Sequence, residues 1–416
     1  MNWILDRFQQ FGSKTACIEG GKAWTYAELL VEIETAKSAF GGERIIPIET
    51  DSTLEGLAQL IAIASTDHIA LPLPPSLPDA EQAHTREVAA SSPLYEQLEG
   101  SGLILFSSGT SGQPKGMLHH LPALLNRFEP VTPRSDRTLQ LLLIDHIGGL
   151  DAAFRCLCAG STLVIPVART PEAAGRAIEA HQINILPASP TFLNLMLING
   201  VAEQFDCNSI EIIAYGAEAM PQALLKRISE AFPSADLQQK FGTSETGAVR
   251  IESCEKDSLY FHIKDLDTQW KVVDDELWLK TPSRIIGYLN CDENSLEADG
   301  WYRTGDLVEE GQDGSLRIIG RQSATINVGG QKVHPSEIEA VLHHIEGIDA
   351  CYVYGEPDPI TGQHVACEIV TSIEQELRSW KRSIRNHCRG KLAPWKIPSS
   401  VTVSDDLSVN SRMKRD

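Results

Sequence analysis

Between about residues 100 and 235 the chain alternates short apolar, β-branched runs with amphipathic stretches. GLILFSS (102–108), STLVIP (161–166), INILPAS (183–189) and IEIIAYG (210–216) read as strands. TPEAAGRAIEAHQ (170–182), with Pro171 at its start, and PQALLKRISEAF (221–232) read as helices. Such alternation predicts a mostly parallel sheet with helices on its faces. After about residue 265 the pattern changes: DELWLKTPSRIIGYLN and GSLRIIGRQSATINVGG predict short strands and turns. HPSEIEAVLHHIEG predicts a helix, with Ser336 and Glu339 at capping-box spacing. IDACYVYGE and GQHVACEIV predict strands, and SIEQELRSWKRSIRNHCRGKL an amphipathic helix. The expectation is an α/β protein in two parts. A large N-terminal domain, 1–320, would hold mixed, mostly parallel sheets flanked by helices. A small α+β C-terminal domain, 321–416, would follow a boundary in the turn Arg321–Ala324. No repeat of solenoid period is visible.

Composition narrows the classes. Over 416 residues, 42% apolar and 22% charged content is ordinary for a globular protein. A formal charge of −20 argues against a free-standing nucleic-acid binder, yet one local loop can still hold a phosphate. Nine cysteines, an odd number without a CxxC pair, suggest reduced thiols in a cytosolic protein. Cys156 and Cys158 lack a second ligand pair, so buried structural cysteine is expected there rather than a metal site. Asp6 and Arg7 interrupt the N-terminal apolar residues, which leaves no signal-peptide core. No uncharged apolar run reaches the roughly 18 residues of a spanning helix. A cytoplasmic location without a membrane span is therefore expected.

The segment richest in chemistry is FSSGTSGQPKGMLHH, residues 106–120. Ser107, Ser108, Thr110 and Ser111 offer hydroxyls, Gly109, Gly112 and Gly116 permit close backbone approach, and Lys115 adds a charge. A loop that combines free N–H groups, hydroxyls and a lysine suits a polyphosphate. It follows a buried strand, where α/β sheets bind ligands. It is not a Walker A loop, because Gly116 follows Lys115 where Ser or Thr would be required. The adjacent pairs His119–His120 and His343–His344 form no HExxH signature, so packing or solvated roles are expected. A GxSxG nucleophile elbow is absent.

SSGTSGQPKG resembles the phosphate-loop signature of the adenylate-forming superfamily, which includes acyl-CoA synthetases, aryl-acid ligases, luciferases and peptide-synthetase adenylation domains. The resemblance runs in family order over nearly the whole chain. AWTYAELL (23–30) is similar to the TYxEL stretch, YGAEAM (215–220) to the GGAxx adenine-pocket segment, and KFGTSETG (240–247) to YGxTE. DELWLKTPSRIIGYLN (275–290) resembles GEL…GY, and WYRTGDL (301–307) resembles YxTGD. GRQSATINVGGQKVHPSEIEAVL (320–342) resembles GRxxDxIKxxGxxVxPxEIE, and WKIPSSVTVSDDLSVNSRMKR (395–415) the stretch that ends in GKxxR.

The resemblance implies ATP and Mg²⁺ as cofactors. Glu245 would contact the metal. The phosphate loop, with Tyr215, Gly216, Ala217, Phe241, Gly242, Thr243 and Ser244, would hold ATP. Asp306 would bind the ribose hydroxyls, with Arg321 beside it. His146, Gly148 and Gly216 would face the acid. Lys414 would reach the α-phosphate and the substrate carboxylate during adenylation. Rotation of the C-terminal domain about Ala324 would then bring Gly329 and Gly330 to the thiol of CoA or of a carrier protein's phosphopantetheine. The chemistry demands these residue types: two anions, a carboxylate and a phosphate, must be brought together and aligned.

The sequence departs from the family at several points. Ala324 stands at the Asp/Lys hinge, Asn327 at a lysine, Met413 at the glycine before Lys414, and Asp145 where an aromatic usually precedes His146. The region of about 42–100 is short for the family. Residues 372–416 carry ten Lys/Arg against five Asp/Glu, a basic face suited to CoA phosphates or an acidic carrier protein, or simply a solvated helix face. The expected function is an acid–thiol ligase for a small, possibly aromatic acid. Its rivals are a non-catalytic nucleotide-binding or regulatory protein on the same fold, and a phosphotransferase or ATPase releasing ADP.

Overall fold

The structure, a computed structural model, describes residues 2–49, 53–75, 77–90, 92–107, 114–255, 258–291 and 295–404. Two mixed sheets form the frame of the N-terminal part. The seven-stranded sheet runs in the order Asp236–Gln239, Ile212–Tyr215, Ile185–Ala188, Arg137–Leu139, Thr162–Ile165, Thr15–Glu19, Lys22–Thr25. Only its last pair is antiparallel. The five-stranded sheet has parallel strands Ile45–Glu49, Ile69–Leu73 and Gly102–Ser107, then antiparallel Lys115–His120 and Gly287–Tyr288. A six-stranded sheet from the 251–321 region is antiparallel throughout.

Local chemistry sets the element ends. Thr170 caps the helix Pro171–His181 by accepting from Ala173 N–H, and Gln182 ends it in the left-handed region at φ 51°. Thr25 and Glu28 form a reciprocal capping box on the helix Tyr26–Ala39. The box expected at Ser336 and Glu339 does not form. His334 occupies the N-cap of the helix Pro335–Leu342 with no side-chain bond, and both residues lie inside the helix. Tertiary partners take the two side chains: Ser336 Oγ donates to the Ile319 carbonyl, and Glu339 Oε1 accepts from Val353 N–H at 3.0 Å.

The 42–100 region is compact rather than empty. The helix Leu54–Ala64 crosses between two parallel strands, and nearly every residue along it is buried. It belongs to the same core as Phe8, Tyr26 and Phe154. A second core fills the seven-stranded sheet around Phe192 and Tyr215. A third contains only residues from Ile326 to Val401, among them Trp380 and Ile384, and lies between the helices Pro335–Leu342 and Leu377–Cys388 and the last sheet. Cys156 and Cys158 are buried, and burial pushes both thiols up to about 12. They pack as small apolar side chains.

Candidate active site

Glu245 sits at the tip of a hairpin formed by Phe241–Thr243 and Gly247–Val249. Buried hydroxyls close its turn: Thr243 and Thr246 Oγ1 lie 2.9 Å apart, and Thr246 N–H donates to Thr243 Oγ1 at 3.1 Å. The strands approach so closely that a Cβ on Gly242 would lie 2.5 Å from the Gly247 carbonyl. The tip is also fastened from outside. Ile285 N–H donates to the Glu245 carbonyl at 2.7 Å, and Ser283 Oγ to the Thr246 carbonyl at 2.7 Å. Beneath it lies His119, wholly buried, against the backbone of Ser244 and Ser283; burial lowers its pKa to about 4. The imidazole is therefore neutral at neutral pH.

The Glu245 carboxylate has two phenolic neighbours. Tyr288 Oη donates to Oε1 at 3.2 Å, and the Tyr302 hydroxyl also bonds both Glu245 and Tyr288. Burial, then the charge of Glu245, pushes both phenols above their ordinary pKa, so they remain protonated donors.

Asp306 and Arg321 lie opposite each other on adjacent strands, Tyr302–Glu310 and Leu316–Arg321, and Arg321 Nε donates to Asp306 Oδ1 at 2.9 Å. Burial raises the Asp306 pKa despite Arg321, and Glu245 adds to the rise. Arg321 is raised by Asp306 first and by Glu245 as well. Glu245, Asp306, Arg321, Tyr288 and Tyr302 thus form one electrostatic cluster, assembled from segments far apart in sequence. Glu276 braces it: Oε1 accepts from Gly305 N–H at 2.9 Å, fixing the irregular strand pairing just before Asp306, where Gly305 takes φ 70°. Oε2 accepts from Trp278 Nε1 at 3.2 Å and pairs with Arg303 at 3.4 Å. Glu276 was not among the sequence candidates; its place in DELWLK was the available signal.

At the phosphate loop, Ser107 and Lys115 lie opposite each other where the loop leaves and re-enters the sheet. Ser108, Gly109, Thr110, Ser111 and Gly112 lie outside the described residues, as do Met413 and Lys414. Asn290, missed by the sequence reading, clamps the loop base. Gly116 N–H donates to its Oδ1 at 3.0 Å, and its Nδ2 donates to the Pro114 carbonyl at 2.9 Å.

The Tyr215–Ala217 segment offers backbone more than side chain. Tyr215 is 2% exposed, and its ring belongs to the second core; Phe241 likewise packs in the core, stacked on Phe261. A Cβ on Gly216 would lie 2.6 Å from the Lys240 carbonyl, and Ala217 takes φ 71°. That strained turn exposes main chain at a strand's C-terminal end.

His146 caps the helix Ile147–Cys158: its Nδ1 accepts from Gly148 N–H at 3.2 Å, which leaves the proton on Nε2. One turn on, Asp151 lies 3.8 Å from Arg127 and 3.4 Å from Arg155. Burial opposes its ionisation, but Arg155 and Arg127 hold its carboxyl below the usual range. Lys240, beside Gly216, belongs to the same group; burial and then Arg155 lower its pKa. A small cavity nearby is lined by Leu124, Phe128, Ile147, Leu150 and Ala248, with Arg127 and Asp151 at its polar edge.

Arg321 also precedes a 3₁₀ turn, Gln322–Ala324. Beyond it, Gly329 and Gly330 form the two-residue turn of a hairpin with φ 58° and 85°, as such turns require. Asn327 Oδ1 accepts from Gly330 N–H at 2.9 Å, and Gly329 N–H donates to the Thr361 carbonyl at 2.8 Å. The residues before and after the turn also touch directly, since Arg227 Nη1 and Asn194 Nδ2 each donate to the Asp349 carbonyl at 3.2 Å. Among the described residues, no helix is long and apolar enough to cross a membrane.

Comparison with known proteins places the chain in a family. Residues 96–289 match the AMP-binding enzyme family and 337–414 the AMP-binding enzyme C-terminal domain. A methyl-dioxo-octahydro-indenyl-propanoyl:CoA ligase of Mycobacterium tuberculosis is 30% identical over 75% of this chain and 64% of its own length. A 2-succinylbenzoate–CoA ligase of Bacillus velezensis is 27% identical over 81% of this chain and 72% of its own. The chain thus spans about two thirds of the length of such relatives. Among solved structures, the anthranilate CoA ligase AuaEII with anthranoyl-AMP aligns over 99% of this chain and 95% of that one, with TM-score 0.82 and 20% identity. The o-succinylbenzoate coenzyme A synthetase of Bacillus subtilis with ATP and magnesium aligns over 100% and 98%, with TM-score 0.75 and 22% identity. With its motifs in register and both family segments matched, the chain belongs to the adenylate-forming, AMP-binding enzyme family.

Proposed function

We propose that this chain is an ATP-dependent acid–thiol ligase. A carboxylate oxygen attacks the α-phosphorus of ATP, the bond to the bridging oxygen of pyrophosphate breaks, and an acyl-adenylate forms. A thiol then attacks the acyl carbon and AMP leaves. The observation that carries the reading is the single cluster of Glu245, Asp306 and Arg321, held by neutral tyrosines and by Glu276.

Asp306 suits the ribose diol, because its second oxygen can accept while Oδ1 is held by Arg321. The Gly216–Ala217 backbone would flank the adenine. Ser107, Lys115 and the loop between them would take the phosphates. Ser244 would add a hydroxyl beside them. The donor set fits magnesium, a hard ion that needs few protein oxygens once phosphates bind, and Glu245 would hold it. When bound, the ion would neutralise charge on the phosphates. Lys414 would supply the mobile cation for the first step.

The acid would enter beside His146 and Gly148, whose helix N-terminus favours negative charge. The favoured acid is compact and ring-bearing. Relatives named for 2-succinylbenzoate and indoleacetate point the same way. CoA is the favoured acceptor, since these relatives are named CoA ligases; a carrier protein docking on the basic helix Leu377–Cys388 is the second choice. Residues 321–416, with their own core, would turn about 322–324 between the two steps.

The test is a panel of carboxylic acids assayed for pyrophosphate release, with and without CoA. Release with one acid, formation of AMP and a further rise with CoA are expected. ADP as the product, or ATP binding with no release from any acid, would overturn the ligase reading.

A further inference from the structure

A second cluster of ligating side chains lies at the far end of the hairpin that carries Asp306 and Arg321. Cys254 Sγ, one ring nitrogen of His262 and one carboxylate oxygen of Asp313 all lie within 4.8 Å of one another. They come from three segments that the backbone fixes. Cys254 directly follows the strand Ile251–Ser253, and its N–H donates to the Tyr260 carbonyl at 2.9 Å. His262 is the central residue of Phe261–Ile263, paired with Glu252 on that neighbouring strand. Asp313 lies in the turn between the strands Tyr302–Glu310 and Leu316–Arg321, which the pairing of Phe261 with Leu316 brings alongside.

The carboxylate of Asp313 is already oriented. Its Oδ1 accepts from Ser315 N–H at 3.0 Å and from Ser315 Oγ at 2.6 Å. These bonds turn Oδ2 toward His262 Nε2, 3.5 Å away. That spacing is close to the separation of two ligand atoms about 2.0–2.2 Å from a tetrahedral zinc ion. The donor set then selects the metal. One sulfur, one nitrogen and one oxygen suit a borderline divalent transition ion, whereas calcium and magnesium prefer oxygen throughout. The cluster is partly exposed, so an ion could enter and keep water as a fourth ligand. Four residue steps along the hairpin strand, from Asp306 to Glu310, separate it from the Asp306–Arg321 pair. At about 3.3 Å per residue this is roughly 13 Å, so the cluster is distinct from the nucleotide site.

We propose that Cys254, His262 and Asp313 form a three-ligand site for a divalent transition-metal ion of the zinc type, with water completing the coordination. Binding would convert the thiol to a thiolate, releasing its proton to solvent, and would tie the hairpin turn to the neighbouring strands.

Titration of the purified, chelator-treated full chain with Co²⁺ tests this, followed by displacement with Zn²⁺. A thiolate-to-cobalt charge-transfer band and visible bands of a four-coordinate ion are expected, both lost on adding Zn²⁺. Cys254→Ser should abolish the charge-transfer band. Asp313→Asn keeps the oxygen bonded to Ser315, so it should fold normally while weakening Zn²⁺ affinity about tenfold or more. Cys207→Ser and Cys291→Ser should leave the band intact. Absence of the band in the unmodified chain, or its survival in Cys254→Ser, would overturn the proposal. So would unchanged Zn²⁺ affinity in both His262→Gln and Asp313→Asn.

Discussion

Arg321 Nε donates to Asp306 Oδ1 at 2.9 Å across two neighbouring strands, and Arg321 is also the residue immediately before the 3₁₀ turn that contains Ala324. One side chain thereby joins the carboxylate proposed to hold the ribose to the start of the proposed hinge. Asp306→Asn keeps the shape but loses the charge. We expect the KM for ATP to rise about tenfold or more, with a smaller change in the KM for the acid. Steady-state kinetics with each substrate varied in turn decides this; equal effects on both KM values would speak against a ribose role.

Glu245 is held by Tyr288, Tyr302 and the fixed hairpin turn, so its position should survive loss of its charge. Glu245→Gln is expected to lower kcat for adenylation about a hundredfold, near 3 kcal/mol in barrier, and to raise the Mg²⁺ needed for half-maximal rate. Pyrophosphate release measured across a Mg²⁺ series is the check. Normal activity at ordinary Mg²⁺ would remove Glu245 from the role.

Lys414 should matter for one step only. Lys414→Ala is expected to abolish acyl-adenylate formation while a supplied acyl-adenylate still yields thioester with CoA. Equal loss of both half-reactions would refute the two-conformation reading.

The contact between the two parts predicts a complementary effect. Arg227→Ala removes one of the two donors to the Asp349 carbonyl. If the small domain turns, this should free it from the observed arrangement, speed limited proteolysis near 322–324 and alter the two half-reactions unequally. An unchanged cleavage rate would show that Arg227 does not restrain the domain.

His119 gives a pH dependence with a definite sign. Its pKa is lowered to about 4 by burial, against about 6.5 for an exposed imidazole. The unfolded chain takes up a proton as pH falls through about 6.5, and the folded chain does not until about 4. Stability from this group is therefore complete above about pH 6.5 and is lost as pH falls toward 4. Between pH 8 and pH 5 the loss is about 2 kcal/mol. His119→Gln should show a correspondingly smaller loss when denaturant unfolding is compared at the two pH values.

The repeating strand–helix pattern of residues 161–232 was enough to expect three parallel strands of the seven-stranded sheet, because buried strands and amphipathic helices carry distinct periods; the parallel strands Thr15–Glu19, Ile45–Glu49 and Ile69–Leu73 lay outside it. The motif order was enough to propose Glu245, Asp306, Arg321, Gly329 and Gly330, since the required residue types sit at fixed spacings within short segments. The helix start at Pro171 was local and realised; the Ser336–Glu339 box was not, because the Ile319 carbonyl and the Val353 N–H offered those side chains better-placed tertiary partners.

Only the tertiary structure decided what surrounds each motif. Tyr215 and Phe241 belong to motifs, yet their rings fill cores. Glu276 and Asn290 were not singled out in the sequence, yet they bond Gly305 and Pro114, 29 and 176 positions away. A motif is a property of neighbours along the chain. Burial and hydrogen-bond partners are properties of neighbours in space, and these set which side chain packs, which donates and which carboxylate keeps its charge.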